Sequence, residues 1–283
     1  MGWHPRSRWL QVDGRRTHVV DVGRGPALLL LHGFLHSSWT WRAALEPLAA
    51  RHRVIAPCLP GFGWSDAEAG DVSLPALVRW LGALLDELEV PRLHCALGNS
   101  LGGGACLALA HAAPQRVERL ALVSPLGAWL PVPALPLRAL GLQALEPVYQ
   151  RTAGRPEFVR RALQLTAYRK RTVDDEVLRG FAHLSRPGSH QATLAHAREL
   201  SASSAALVKL VPEVRVPALL VWGAQDRLLS LAYGKTVAAR LANARLEVFE
   251  DCGHCAHEED PQRFLGLLRP FLDVDREDVR AAG

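Results

Sequence analysis

The chain has 283 residues, 49% of them hydrophobic, and a formal net charge of +5. That length and composition suit one large domain with an insertion and a sizeable buried core; no apolar run reaches the ~18–20 residues needed to cross a bilayer. Residues 125–212, with twelve Arg and Lys against six Asp and Glu, carry the positive balance, but these bases are scattered through helical periodicity. That pattern reads as a solvated helical surface and not as a nucleic-acid stripe.

The N-terminal stretch "MGWHPRSRWLQVDGRR" has no apolar signal core, so a cytoplasmic location is expected. Arg6 stands where a myristoylation site wants Ser or Thr. Short apolar runs closed by glycine predict strands at 18–23 and 27–33. Helical spacing follows over 39–52, then a strand over 53–61 that prolines break. Leu74, Leu77, Val78, Leu81, Leu84, Leu85 and Leu88 mark an amphipathic helix over 74–90. A strand at 92–98, a helix at 101–114 and a strand at 116–124 complete this half.

Residues 125–212 then lose the strand signal and hold prolines and short helical patterns. After Pro212 the alternation resumes: a strand at 216–223, a helix in "SLAYGKTVAARLA", a strand in "ARLEVFED" and a last helix in "DPQRFLGLLRPFL". Strands alternating with helices predict an α/β fold, a mostly parallel sheet covered on both faces. One all-helical insertion interrupts it. The expected organisation is a core domain of residues 1–124 and 213–283 and an insertion at 125–212.

The strand ending "CALG" runs into Gly98-Asn99-Ser100-Leu101-Gly102 and then an apolar helix. Gly-x-Ser-x-Gly between strand and helix is the context of a nucleophile elbow, a sharp turn that lifts the serine hydroxyl above the sheet. The flanking glycines are needed because strand and helix approach closely there. A serine hydroxyl needs a base to take its proton, and the base needs an orienting acid. In chain order Ser…Asp…His, Asp226 follows the strand in "LLVWGAQD", and His254 follows the next strand in "VFEDCGHCAHEE". All three lie beyond carboxyl ends of predicted parallel strands, where open α/β sheets build their sites.

The stretch Cys252-Gly253-His254-Cys255 admits two other readings. As a thiol–disulfide motif it would open a redox domain, but only 28 residues follow Cys255, with no strand pattern. As a metal site, Cys252, His254, Cys255 and His257 crowd too closely, with no second Cys/His group to answer them. The base reading is preferred, with His257 as the competing base and no metal or other cofactor expected. Three of the five cysteines sit in or beside apolar strand or helix patterns and read as small buried hydrophobes, and the set does not read as a secreted disulfide framework.

The pieces "LLLLHGF", "PCLPGFGWSD", "GNSLGG", "LLVWGAQD" and "DCGHCAHEEDPQRF", in this order, resemble the α/β-hydrolase family across nearly the whole chain outside the insertion. The resemblance implies a Ser100–His254–Asp226 triad. It implies an oxyanion hole from the backbone N–H groups of Phe34 and Leu101, and a helical cap formed by the insertion. Many relatives carry a proline four residues after the acid; this chain has Ser230 there.

Serine as nucleophile favours acyl transfer, and cleavage of a carboxylic ester is the first expectation. Carbon–carbon bond hydrolases of aromatic ring-cleavage pathways share the "GNSxGG" elbow and are the alternative. They tend to carry tryptophans after the catalytic histidine, where this chain has Cys255 and Glu258. A hydrolase-fold binding protein without turnover is the reading from another class. Phe34 and Leu101 are expected to line the pocket, with His36, Trp39 and Trp129 near its mouth. His32 is expected to pack and hydrogen-bond before the oxyanion loop. The partner expected is a small-molecule ester or related acyl compound, with no nucleic acid and no stable membrane insertion, the protein being a monomer or homodimer.

Overall fold

A computed structural model of the chain describes residues 2–128, 155–166 and 173–273, together with 147, 151 and 152. Among them one sheet holds β1 (Ser7–Val12), β2 (Arg15–Val22), β3 (Ala27–Leu31), β4 (Arg53–Pro57), β5 (Cys95–Asn99), β6 (Leu120–Val123), β7 (Ala218–Gly223) and β8 (Ala244–Phe249). The spatial order is β1-β2-β4-β3-β5-β6-β7-β8. β1 and β2 run antiparallel to their neighbours, and every pair from β4 to β8 is parallel.

The central strands are continuous apolar runs because both of their faces are covered. β3 reads ALLLL and is buried throughout. Successive side chains leave a strand on opposite faces. Leu29 and Leu31 join a cluster with Trp80, Leu81, Leu84 and the helix after the elbow. Leu28 and Leu30 join a second cluster with Leu45, Leu48, Phe264 and Leu268. These two clusters are the packing of α1 (Arg42–Ala49) and α9 (Pro261–Asp273) on one face and of α2 (Leu74–Glu87) and α3 (Leu101–Ala112) on the other.

The first strand expected from the sequence begins at residue 18; the structure adds β1 before it. Its sequence SRWLQV is an edge strand carrying Arg8 and Gln11, so it lacks the apolar run that marks the central strands. The joining turn, Asp13-Gly14, has φ of 50° and 73°. Positive φ at both positions suits the right-handed twist of a two-residue hairpin. The predicted helix 39–52 also divides, into a 3-10 turn at Ser38–Trp41 and α1.

Between β6 and β7 the regular elements among the described residues are all helical: α4 (Pro156–Thr166), α5 (Asp175–Arg179), a 3-10 turn at Ala182–Ser185, α6 (Ser189–Leu210) and a 3-10 turn at Val211–Glu213. Val159, Val177, Phe181 and Leu184 from this region gather with Cys255 in a small apolar cluster. The remaining helices are α7 (Leu231–Arg240) and α8 (Ala256–Glu259). No helix among the described residues is long and apolar enough to cross a membrane.

Several histidines are buried as neutral rings. Burial pushes His18 and His196 down to about 4 and His183 and His257 down to about 3. In the unfolded chain they take up protons near pH 6.5. Between about pH 4 and 6.5 the unfolded state therefore binds more protons than the folded one, and stability falls as pH falls. Tm should drop steadily from pH 6.5 to pH 4 in thermal unfolding; a flat Tm across that window would contradict this burial.

Candidate active site

Ser100 sits between the last residue of β5 and the first of α3, with φ 53° and ψ −117°. A non-glycine residue there carries strain on the order of 1–3 kcal/mol, held only if its surroundings fix it. They do so through the backbone: Ser100 N–H donates to Val123 O at 3.0 Å, and Ser100 O accepts from Gly104 and Leu126 at 3.0 and 2.9 Å. The glycines are required by contact. A Cβ on Gly98 would lie 2.6 Å from Gly103 N, and one on Gly102 would lie 2.4 Å from His32 O. A Cβ on Gly33 would fall 2.8 Å from Asn99 Oδ1 and 3.1 Å from Ser100 Cβ, so the loop after β3 passes directly beside the serine.

Asp226 lies in the loop after β7, and His254 in the loop after β8. His254 Nδ1 is 2.7 Å from Asp226 Oδ2, and both residues are buried. Asp226 Oδ1 accepts from the N–H groups of Leu228 and Leu229 at 2.8 and 2.9 Å, so the carboxylate is fixed from both oxygens. Because the carboxylate accepts, Nδ1 carries the proton, and Nε2 presents its lone pair. The two loops dock backbone to backbone: Gln225 N–H donates to Cys252 O at 2.9 Å. A Cβ on Gly223 would come within 2.0 Å of Gly253 O. Ser230, in the place where relatives carry proline, accepts from Tyr233 N–H at 3.4 Å and caps α7, which gives that position its own reason.

Ser100 and His254 line one small cavity of about 30 Å³ with Phe34, Leu101, Leu126, Leu200, Leu228 and Leu229. Apart from the serine and the imidazole this lining is apolar. His36 and Trp39, expected at the pocket mouth, are not in it. Trp39 packs against Gly180, whose Cβ would meet its ring at 2.4 Å, and lies under the Arg42 guanidinium. His36 packs against Phe181 with ring centroids 4.3 Å apart and the planes tilted by 55°. Trp129 lies outside the described residues.

His32 shapes the loop beside the serine. Its Nε2 accepts from Leu59 N–H at 2.9 Å, so Nδ1 carries the proton and donates to Gly33 O at 2.8 Å. Burial holds this ring well below the ordinary histidine range, so it stays neutral. Gly33 C=O and Phe34 N–H belong to one trans peptide unit and point opposite ways. Fixing the carbonyl therefore fixes the direction of Phe34 N–H.

Asn99 and Glu258 were not singled out as site residues from the sequence. Asn99 Nδ2 donates to Val123 O at 3.1 Å and to His254 O at 3.3 Å, tying the elbow to the histidine loop. Glu258 accepts from His36 Nε2 at 2.9 Å, from Arg42 Nη1 at 2.6 Å and from Thr40 Oγ1. Burial alone would raise this carboxyl, but the hydrogen bond from His36 and the Arg42 guanidinium outweigh it and hold it well below the usual carboxylate range. His257 turns away from the cavity: its Nε2 meets Thr40 Oγ1 at 2.8 Å, and its ring lies 4.4 Å from Trp41. Cys252 and Cys255 are buried thiols, not a disulfide. No group of three or more His, Cys, Asp or Glu among the described residues is arranged to hold a metal ion.

The family profile described as "alpha/beta hydrolase fold" matches residues 26–261. The chain belongs to the alpha/beta hydrolase fold family. It is 31% identical over 285 residues to an uncharacterized protein of Mycobacterium tuberculosis, covering 95% of this chain and 82% of that one. It is 33% identical over 274 residues to the 2-hydroxymuconate semialdehyde hydrolase of Pseudomonas sp. (strain CF600), covering 92% of this chain and 91% of that enzyme. Among solved structures, a meta-cleavage product hydrolase from Pseudomonas fluorescens superposes with TM-score 0.78 at 26% identity, covering 94% of this chain and 97% of that one. This alpha/beta hydrolase thus shares its sheet and helices with enzymes named for small-molecule hydrolysis.

Proposed function

We propose that this alpha/beta hydrolase cleaves a carbonyl substrate with Ser100 as nucleophile, His254 as general base and acid, and Asp226 as the group orienting the imidazole. The observation that carries the reading is the 2.7 Å His254–Asp226 contact at a cavity that also holds Ser100. Ser100 Oγ attacks the carbonyl carbon while Nε2 takes its proton. The tetrahedral oxyanion faces the N–H groups of Phe34 and Leu101, donors whose loss commonly costs about 3–4 kcal/mol of barrier. Collapse expels the leaving group, which takes the proton from His254. A water, deprotonated by the same imidazole, then releases the acid. Residues 125–212 serve as the cap over this cavity, and residues 1–124 and 213–283 as the core.

The substrate taken first is the dienoate of an aromatic ring cleavage, with a carbon–carbon bond broken. The names of the relatives support this over the ester that a serine nucleophile alone suggests. The dienol first takes a proton at the carbon next to the carbonyl and loses its hydroxyl proton, giving the keto tautomer; the C–C bond next to the attacked carbonyl then breaks, and its electron pair passes into the conjugated enone as a dienolate, which takes up a proton. Ester cleavage is the second reading. It is favoured by the apolar lining of the cavity, which among the described residues offers no cation for a carboxylate.

Turnover of 2-hydroxymuconate semialdehyde and of a short p-nitrophenyl ester tests both, with Ser100→Ala as blank. The dienoate should show the higher kcat/KM, by tenfold or more. An ester preference of that size replaces the first reading with the second. Binding of either compound without any turnover would mark a hydrolase-fold receptor.

A further inference from the structure

We propose that Glu258 is a positioning residue that ties the oxyanion loop to the loop of the catalytic base, an inference that rests on the roles proposed above for Phe34 and His254. Glu258 lies four residues after His254, on α8, and its side chain is 1% exposed. The donors it gathers, His36, Thr40 and Arg42, come from the segment that begins at Phe34. One carboxylate on the short helix that follows the base thus collects His36 from the oxyanion loop, Thr40 from the 3-10 turn after it and Arg42 from the start of α1.

The link to Phe34 is short. Gly33 O accepts from His36 N–H at 3.3 Å as well as from His32, closing a turn around Phe34 and Leu35. Leu35 has φ 64°, a conformation that a leucine adopts only when its surroundings impose it. His36 forms the far corner of that turn. Its Nδ1 accepts from Ser37 N–H at 2.9 Å, so Nε2 carries the proton that goes to Glu258. Release of His36 removes one of the two groups holding the Gly33–Phe34 peptide and lets the strained turn relax. The direction of Phe34 N–H would change where charge develops in the transition state. His257 extends the same chain by donating through Nε2 to Thr40 Oγ1, which donates to Glu258.

Stability alone does not account for this arrangement. A buried ion pair is weak evidence for stability, because desolvation offsets much of its attraction. Arg42 also donates Nε to the exposed Glu176 of α5 at 3.1 Å and covers the Trp39 ring at 3.4 Å. Loss of the Glu258 charge would leave the guanidinium under-compensated, so a single variant mixes folding with positioning. A double variant separates them.

Glu258→Gln should lower kcat by about 10- to 100-fold, the range expected for a misplaced reacting group, with KM within about twofold. Phosphonylation of Ser100, which directs a phosphonyl oxygen at the same N–H groups, should slow in parallel. In Glu258→Gln/Arg42→Met no unpaired guanidinium is left at the site, so Tm should rise above that of Glu258→Gln, short of the parent by the lost Glu176 and Trp39 contacts, while kcat stays low. A folded Glu258→Gln enzyme with parental kcat removes this inference alone, as does a double variant in which kcat recovers together with Tm. Retained turnover in Ser100→Ala removes the nucleophile reading and this inference with it.

Discussion

Ser100→Ala will lower kcat by on the order of 10⁴- to 10⁶-fold, the cost of removing a nucleophile that acts as a unit with its base. The fold should persist, with far-UV circular dichroism unchanged and Tm within a few degrees. The serine's backbone, not its hydroxyl, makes the contacts that hold the elbow: its N–H to Val123 and its C=O to Gly104 and Leu126. Alanine keeps those and loses one oxygen from a half-buried position. Substrate affinity should change little, because the apolar lining of Phe34, Leu101, Leu126, Leu200, Leu228 and Leu229 is untouched. Parental turnover in a folded Ser100→Ala protein would mean that the strained turn serves some purpose other than nucleophilic attack.

The parts of this site that could be read from the chain are those whose signal is local. The elbow needs small residues within two positions of Ser100, so glycine spacing carries it. Asp226 and His254 each follow a strand whose apolar run is visible, ALLVWG in β7 and the weaker ARLEVF in β8. Parallel strands buried on both faces announce themselves by composition. The β1 edge strand does not, because solvent on one side lets Arg and Gln in. Its Asp13-Gly14 hairpin turn was the available signal.

The supporting polar groups were hidden for a different reason. Glu258 meets Arg42 across 216 positions, and Asn99 meets His254 across 155. No periodicity records a pair so far apart. Nearness to Phe34 in the chain is all that places His36 and Trp39 at the pocket. The turn closed at Gly33 sends the following residues toward Glu258 and Gly180 instead. The surroundings of the thiol motif are equally nonlocal. Cys255 packs with Val159, Val177 and Phe181, which contribute an apolar neighbourhood that only the folded insertion reveals.

His254→Ala should be as damaging as Ser100→Ala, on the order of 10⁴- to 10⁶-fold in kcat, and the double variant should be no worse than either single one. His257→Ala is the discriminating control, because both histidines lie in the same short stretch. His257 has its Nε2 engaged by Thr40, its ring against Trp41 and its Nδ1 without a hydrogen-bond partner. Burial pushes it down to about 3, so near neutral pH it holds no exchangeable charge. A ring so placed contributes packing, not proton transfer. Its removal should cost about 1–3 kcal/mol of stability, as buried truncations commonly do, with kcat within about tenfold of the parent, the residual loss arising through Thr40 and Glu258. Paired measurements of Tm and kcat on the two variants decide the assignment. Large loss of kcat with parental Tm in His257→Ala, together with a mild effect in His254→Ala, would move the base to His257. The Asp226 contact, made with His254 at 2.7 Å, predicts the opposite order.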